Sequence, residues 1–286
     1  MSEAPAIVVR TAAGPTETHA APLALFAIPW IHRELLGAMI RRDLSARYRG
    51  SILGLAWFVG MPLASMAAYT LVFVGILQVR FDVGSGGAPV AALSIWSAVV
   101  MWQAFAEIAY RSVSLVHDQA PLVKRVPFPL EILIGSYIGS SMVGAAFSLV
   151  LFCCAHLVVV GAPPWTWLLA PVALTALLLV ATGTALLLSA LGAYVRDLRQ
   201  VVGFAVPLVM FVTPVVYPIA AVPASLKSFM LANPLAYGFE TLRTVLVAGK
   251  TPDPVFLGLY LVCTWLYASA GLLVFRRLKG GFADVA

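Results

Sequence analysis

"RRDLSARYRGSILGLAWFVGMPLASMAAYTLVFVGIL", residues 41–77, changes character at Gly50. Before that point stand Arg41, Arg42, Arg47 and Arg49 against a single acid, Asp43; from Gly50 to Val79 there is no charge at all. About 20 apolar residues suffice to cross the hydrocarbon layer of a bilayer. The stretch therefore reads as a cationic interfacial segment set directly against the start of a membrane span.

Charge-free runs recur at residues 83–106, 132–195, 200–226 and 254–275. The longest holds two spans broken at "GAPPWTW", residues 161–167, where paired prolines cannot continue a helix. Six spans follow: residues 53–78, 90–110, 132–160, 167–194, 201–219 and 255–275. Over the whole chain of 286 residues, 62% are hydrophobic and 10% charged, whereas about a quarter are charged in a soluble domain. The fold class is all-α, a polytopic membrane protein with one helical bundle over residues 50–279.

The formal net charge of +6 reflects topology, not a nucleic-acid partner. With a cytoplasmic N-terminus, that side holds Arg10, Arg33, Arg41, Arg42, Arg47, Arg49, Arg111, Lys124, Arg125, Arg196, Arg199, Arg276, Arg277 and Lys279. The outer side keeps only Arg80, Lys227, Arg243 and Lys250. The positive-inside bias puts both termini in the cytoplasm, with membrane lipids as ordinary partners of the basic side. Residues 1–30 read as a disordered cytoplasmic tail and residues 280–286 as a second one. Cys153, Cys154 and Cys263 all fall in apolar runs and imply no disulfide.

Within residues 31–49, Ile31, Leu35, Leu36, Met39, Ile40 and Leu44 recur at helical spacing, and the charged residues mostly take the remaining arc. An amphipathic helix lying in the headgroup layer fits this pattern, with Arg41, Arg42, Arg47 and Arg49 over phosphates. A simple positive-inside flank would need fewer arginines and no apolar stripe.

The same stretch, "RRDLSARYRGSILGLAW", resembles the entry to the first span in membrane subunits of type-2 ABC exporters of bacterial surface polysaccharides: O-antigen, capsule and teichoic-acid export permeases. "LVKRVPFPLEIL" (residues 122–133), "GAYVRDLRQVVGFAVPLVMFVTPVVYP" (192–218) and "ANPLAYGFETLRTVLVAGK" (232–250) fit in the same order. The resemblance implies a transporter subunit, not an enzyme, in the bacterial inner membrane. It also implies a homodimer, two copies of a separate nucleotide-binding ATPase that holds ATP and magnesium, and a lipid-linked polysaccharide as cargo.

The residues agree that an engine must come from elsewhere. "AGKT" at residues 248–251 fails as a phosphate loop because the required first glycine is Thr244, and no other cofactor or metal site is visible. The loop at residues 111–131 mixes charge with apolar side chains, and the resemblance makes it a coupling element through Leu115, Val116, Leu122, Val123, Lys124, Arg125 and Val126. Arg196 and Asp197 form either a second, smaller cytoplasmic contact or another positive-inside turn.

Inside the spans, Glu107 and Arg111 are placed to pair along one helix face, and His156 stands without acidic partners as a packing histidine. No chain of buried carboxylates is present to couple protons or sodium, and no catalytic constellation appears. Aromatic residues are the remaining resource: Phe58, Tyr69 and Phe73 with Ser65 in the first span, and Phe204, Phe211 and Tyr217 in the fifth. Such faces suit sugar rings sliding through repeated weak contacts. Gly135, Gly139, Ser140 and Gly144 form a small-residue series for close helix packing, within the chain or across a dimer.

Residues 220–252 are too long for a turn and too proline-interrupted for a span, so two short re-entrant helices are expected there. The resemblance makes them an outer gate, carried by Phe229, Asn233, Pro234 and Tyr237. A type-2 exporter of a drug or lipid, or an ATP-independent membrane enzyme, stands as the alternative reading.

Overall fold

The cationic segment folds as a helix that ends just where the charge does. In the computed structural model, which describes residues 21–48, 54–79, 81, 87–121 and 129–282, α1 covers Ala21–Ile31 and α2 covers Arg33–Tyr48. Helix α1 corrects the expected tail: Leu25 and Ile28 pack beside Leu272 and Phe275, so burial orders a segment that composition alone leaves free. The C-terminal tail likewise begins late, because Phe282 is fully buried with its ring 5.4 Å from that of Phe275.

The first span is α3 (Trp57–Tyr69), continued by π-helical turns over Thr70–Ile76. Helix α4 (Gly87–Ser112) follows, then the single turn α5 (Leu115–Asp118), α6 (Leu130–Val159), α7 (Ala170–Tyr194), α8 (Leu198–Val212), α9 (Ala224–Leu231), α10 (Pro234–Leu246) and α11 (Pro254–Leu278). Among the described residues, five helical segments are long and apolar enough to cross a membrane: Trp57–Ile76, Gly87–Ser112, Leu130–Val159, Trp165–Tyr194 and Pro254–Gly281.

Helix α8 falls short of the expected fifth span. It ends at Val212 because Thr213 is extended and Pro214 has no amide hydrogen to continue the ladder. Its 15 residues reach about 22 Å, against roughly 30 Å of hydrocarbon. Val215 and Val216, expected to extend the span, turn into the bundle and are buried.

Local chemistry sets the other ends. The amides of Val160 and Gly161 both bond the His156 carbonyl, and Gly161 takes φ +100°, a conformation a side chain resists, before Pro163 and Pro164. Asp253 accepts from the amides of Val255 and Phe256 at 2.8 and 3.2 Å, with Pro254 at the first helical position, and so starts α11.

Helix α4 is the central post, buried along most of its length. Helices α7 and α11 cross at glycines: a Cβ on Gly271 would stand 2.8 Å from the Gly183 carbonyl oxygen, so only this pair permits the approach. In contrast, no residue of α3 or its π-helical extension is buried. The first span lies on the outside of the bundle.

Candidate functional site

The small-residue series on α6 receives the interfacial helix. Leu36 and Ile40 of α2 sit against Gly135 and Gly139, where an added Cβ on Gly139 would overlap Ile40. One and two turns on, the same stripe of α2 carries Asp43 and Arg47. The Arg111 guanidinium donates to both carboxylate oxygens of Asp43, at 2.9 Å to Oδ2, and to Ser140 Oγ at 3.1 Å. Its plane also lies 3.9 Å from the Tyr137 ring centroid. Arg47 pairs with Glu107, with Asp43 at 3.3 Å and with Ser140 Oγ at 3.2 Å.

The expected Glu107–Arg111 pair is present at 3.4 Å but is one edge of a larger knot that binds α2, α4 and α6 together. Burial alone would raise the Asp43 pKa. Hydrogen bonds from Arg111 and Ser140 and the charges of Arg111 and Arg47 outweigh it and hold the carboxyl below the ordinary range. Arg41 and Arg42 are exposed, as headgroup contacts require. Arg49 lies outside the described residues.

Leu115 and Val116 of the coupling loop are fully buried, packed with Ala185, Ala190 and Ala193 of α7. They seat the loop and do not present themselves to a partner. Gly192 meets the Val113 carbonyl so closely that a Cβ would overlap it, which sets this turn against the last turn of α7. Arg196 and Asp197, both exposed, follow that turn directly, so the two groups of residues expected to couple form one neighbourhood. Leu122, Val123, Lys124, Arg125 and Val126 lie outside the described residues.

The aromatic set divides into three groups. Phe58 packs on Phe147 of α6, ring centroids 5.8 Å apart, and shares a cavity with Ser65. Tyr69 stacks on Phe73 and donates to Met210 Sδ at 3.8 Å, joining the first span to α8. Phe204 and Phe211 of α8 stand exposed, and Tyr217 donates to the Phe211 carbonyl at 2.6 Å. His156 is buried with its ring edge-on to Trp167 at 5.0 Å.

At the opposite end, α10 is buried against α4 and α7, so both its termini need partners. Asn233 caps the start by accepting from the Leu235 amide at 3.0 Å, while its amide donates to Thr213 Oγ1 at 2.7 Å. Thr166 Oγ1 and Trp167 Nε1 satisfy the Val245 and Leu246 carbonyls at 2.7 and 2.9 Å. Tyr260 donates to the Pro234 carbonyl at 2.8 Å and packs on Tyr237. Phe229, on α9, is exposed.

The residue that sequence reading passed over is Arg243. It is 2% exposed, yet every arm is used: Nε to the Ser94 carbonyl at 3.2 Å, one terminal nitrogen to Glu240 at 2.7 Å, the other to the Pro214 and Val215 carbonyls at 3.1 and 3.0 Å. Its guanidinium also lies over the Phe81 ring at 4.8 Å. Pro214 and Val215 lie just past the end of α8 and Ser94 lies in α4, so Arg243 ties α10 both to α4 and to the break after α8. The signal was present: position 243 falls four after Phe239 and seven after Ala236, on the apolar face of α10.

The α2 helix bolted to α4 and α6, the α5 turn seated on α7, and α10 locked to α4 are the tied points of this bundle. The family model described as ABC-2 type transporter matches residues 34–247. This chain belongs to that family. The matched span of this ABC-2 type transporter runs from α2 through α10 and so includes the knot, the first span and the Arg243 lock. Similar proteins include the O-antigen export system permease protein RfbA of Myxococcus xanthus, 26% identical over 250 residues that make up 86% of this chain and 94% of that one. A protein of the same name from Klebsiella pneumoniae is 25% identical over 256 residues, 88% of this chain and 95% of its own.

Proposed function

We propose that this multi-pass membrane protein is the transmembrane subunit of an ATP-driven exporter that carries lipid-linked surface polysaccharide across the bacterial inner membrane. The observation that carries the cargo assignment is the match, over nearly the whole of both chains, to permeases named for O-antigen export.

Geometry supports the assembly. An outer wall made of α8 and the first span, whose residues are half-buried or exposed, with Phe204 and Phe211 standing exposed on α8, is half of a path that a second copy would complete. ATP and magnesium belong to two separate ATPase subunits, which bind below the neighbourhood of α5, Arg196 and Asp197. Both termini lie in the cytoplasm. Closure of the ATPases pushes that neighbourhood and α2, and the knot at Asp43 and Arg111 carries the displacement into α4 and α6. Helices α9 and α10 dip back from the outer surface as the gate, with Arg243 holding α10 in place.

Deletion of the gene tests the reading. Polymer should accumulate inside the cell on its lipid carrier while the surface is depleted; unchanged surface polysaccharide would reject it.

A further inference from the structure

A cavity of about 510 Å³ lies under the interfacial helices, and none of its lining residues belongs to the first span or to α8. Leu25, Ile28 and Trp30 of α1 and Leu36 and Ile40 of α2 roof it, while α6, α7 and Leu272 of α11 form its walls. The size lies within the range of small-molecule sites.

The walls suit hydrocarbon. Ile134, Ile138 and Met142 of α6 face Leu178 and Leu179 of α7. The two hydroxyl protons of the lining are already used: Thr175 Oγ1 donates to the Pro171 carbonyl and Thr182 Oγ1 to the Leu178 carbonyl, each at 2.8 Å. A sugar or a peptide placed here would bury polar groups with little to pair them. The depth fits one leaflet. Lining residues run from Glu131 to Met142 on α6 and from Thr175 to Leu186 on α7, a rise of about 16 Å along each helix, and half of a bilayer's hydrocarbon core is roughly 15 Å.

One end is cationic. Glu131, at the start of α6, lines the cavity and is bonded by Lys279 Nζ at 2.8 Å, with Arg276 Nε 3.9 Å away, so one carboxylate meets two cations. Across the rim Trp30 is exposed, with the Arg33 guanidinium 5.5 Å from its ring, and tryptophan favours the headgroup level. With the exposed neighbours Arg33, Glu34 and Arg277 included, the rim holds four cations against two carboxylates. A phosphate diester meets that excess, whereas a zwitterionic headgroup brings its own positive charge back to it.

From the apolar slot, its one-leaflet depth and its cationic rim we infer a binding site for an anionic phospholipid. One acyl chain lies between α6 and α7 beneath α1 and α2, and the phosphate meets Arg276 and Lys279. Held there, the chain packs behind Leu36 and Ile40 and supports the seat of α2 on α6. The site is separate from the cargo and from the path between two copies.

The test uses the full-length protein, extracted from membranes with its native partners and placed in phosphatidylcholine nanodiscs. Phosphatidylglycerol carrying a diazirine in mid-chain is added and illuminated, and the labelled residues are mapped by peptide mass spectrometry. Ile138, Met142 and Leu178 should be labelled severalfold more than by a phosphatidylcholine with the same chain. Arg276→Gln combined with Lys279→Gln should abolish that difference; Arg276→Gln alone, at the longer of the two contacts with Glu131, should reduce it and keeps the test decisive if the double variant unfolds. Labelling confined to the outward surfaces of α3 and α8, equal labelling by the two headgroups, or displacement of phosphatidylglycerol by less sugar-free polyprenyl phosphate would each overturn the site. The polysaccharide reading stands or falls on gene deletion instead.

Discussion

Arg111, at the end of the second span, holds Asp43 of the interfacial helix through both carboxylate oxygens, 68 residues apart in sequence. A bidentate pair fixes direction as well as distance, so α2 cannot swing or slide without carrying α4 with it. In the proposed mechanism, the knot is where force applied by the ATPase enters the membrane bundle.

Asp43→Asn should therefore uncouple the machine more than it unfolds it. Both side chains are about a fifth to a quarter exposed, so the stability loss is expected near 1 kcal/mol after allowance for solvent screening. Polysaccharide export should fall sharply while ATP hydrolysis by the assembled complex continues. Measuring the two rates side by side checks this; equal losses in both would contradict it.

The pH dependence of that contribution has a definite sign. Because the folded Asp43 pKa lies below its unfolded value, the stabilisation is present above the ordinary aspartate value of about 3.9 and is lost as pH falls through the depressed folded value. The melting-temperature difference between wild type and Asp43→Asn should stay constant from about pH 5 to 8 and shrink only below about pH 4. A difference that vanishes near pH 6 would count against the knot as described.

Arg243→Met should be the most damaging single change on the outer side. It strands the Pro214 and Val215 carbonyls, removes one of the bonds to the Ser94 carbonyl and leaves Glu240 without its partner, at an expected cost of about 3–5 kcal/mol. Glu240→Gln, at a side chain about a third exposed, should cost much less. Thermal unfolding of the purified subunit, followed by scanning fluorimetry, distinguishes the two.

Gly271→Val should force α7 and α11 apart, costing about 1–3 kcal/mol or more by overpacking. Gly258→Ala on the same helix, where an added Cβ meets nothing within 4 Å, should be neutral or mildly stabilising. The same unfolding measurement applied to both variants decides whether the close approach matters.

The long spans were legible because hydrophobic length and flanking charge follow directly from the thickness of the bilayer; α4 and α6 begin and end within three residues of their expected bounds. Composition could not see that α8 stops at Val212, since Val215 and Val216 are as apolar inside a protein core as they would be in lipid. The order of α1 and Phe282 depends on side chains supplied from distant parts of the chain, which no local pattern encodes. Asp43 and Arg243 left a fainter trace, as charges on the apolar faces of their helices. Their partners come from other helices and become apparent only once the bundle is folded. The aromatic positions were readable as a set, but their division into a cavity group, a helix-joining group and an exposed pair depends on how α3 and α8 lie.

Co-reconstitution of the purified chain in sealed vesicles tests the central claim, that this subunit supplies the passage and a separate ATPase supplies the work. With lipid-linked glycan in the outer leaflet, ATP-dependent transfer to the lumen is expected only when the ATPase subunit is present, and the chain alone should hydrolyse no ATP. Hydrolysis by the chain alone, or transfer without the ATPase, would contradict it.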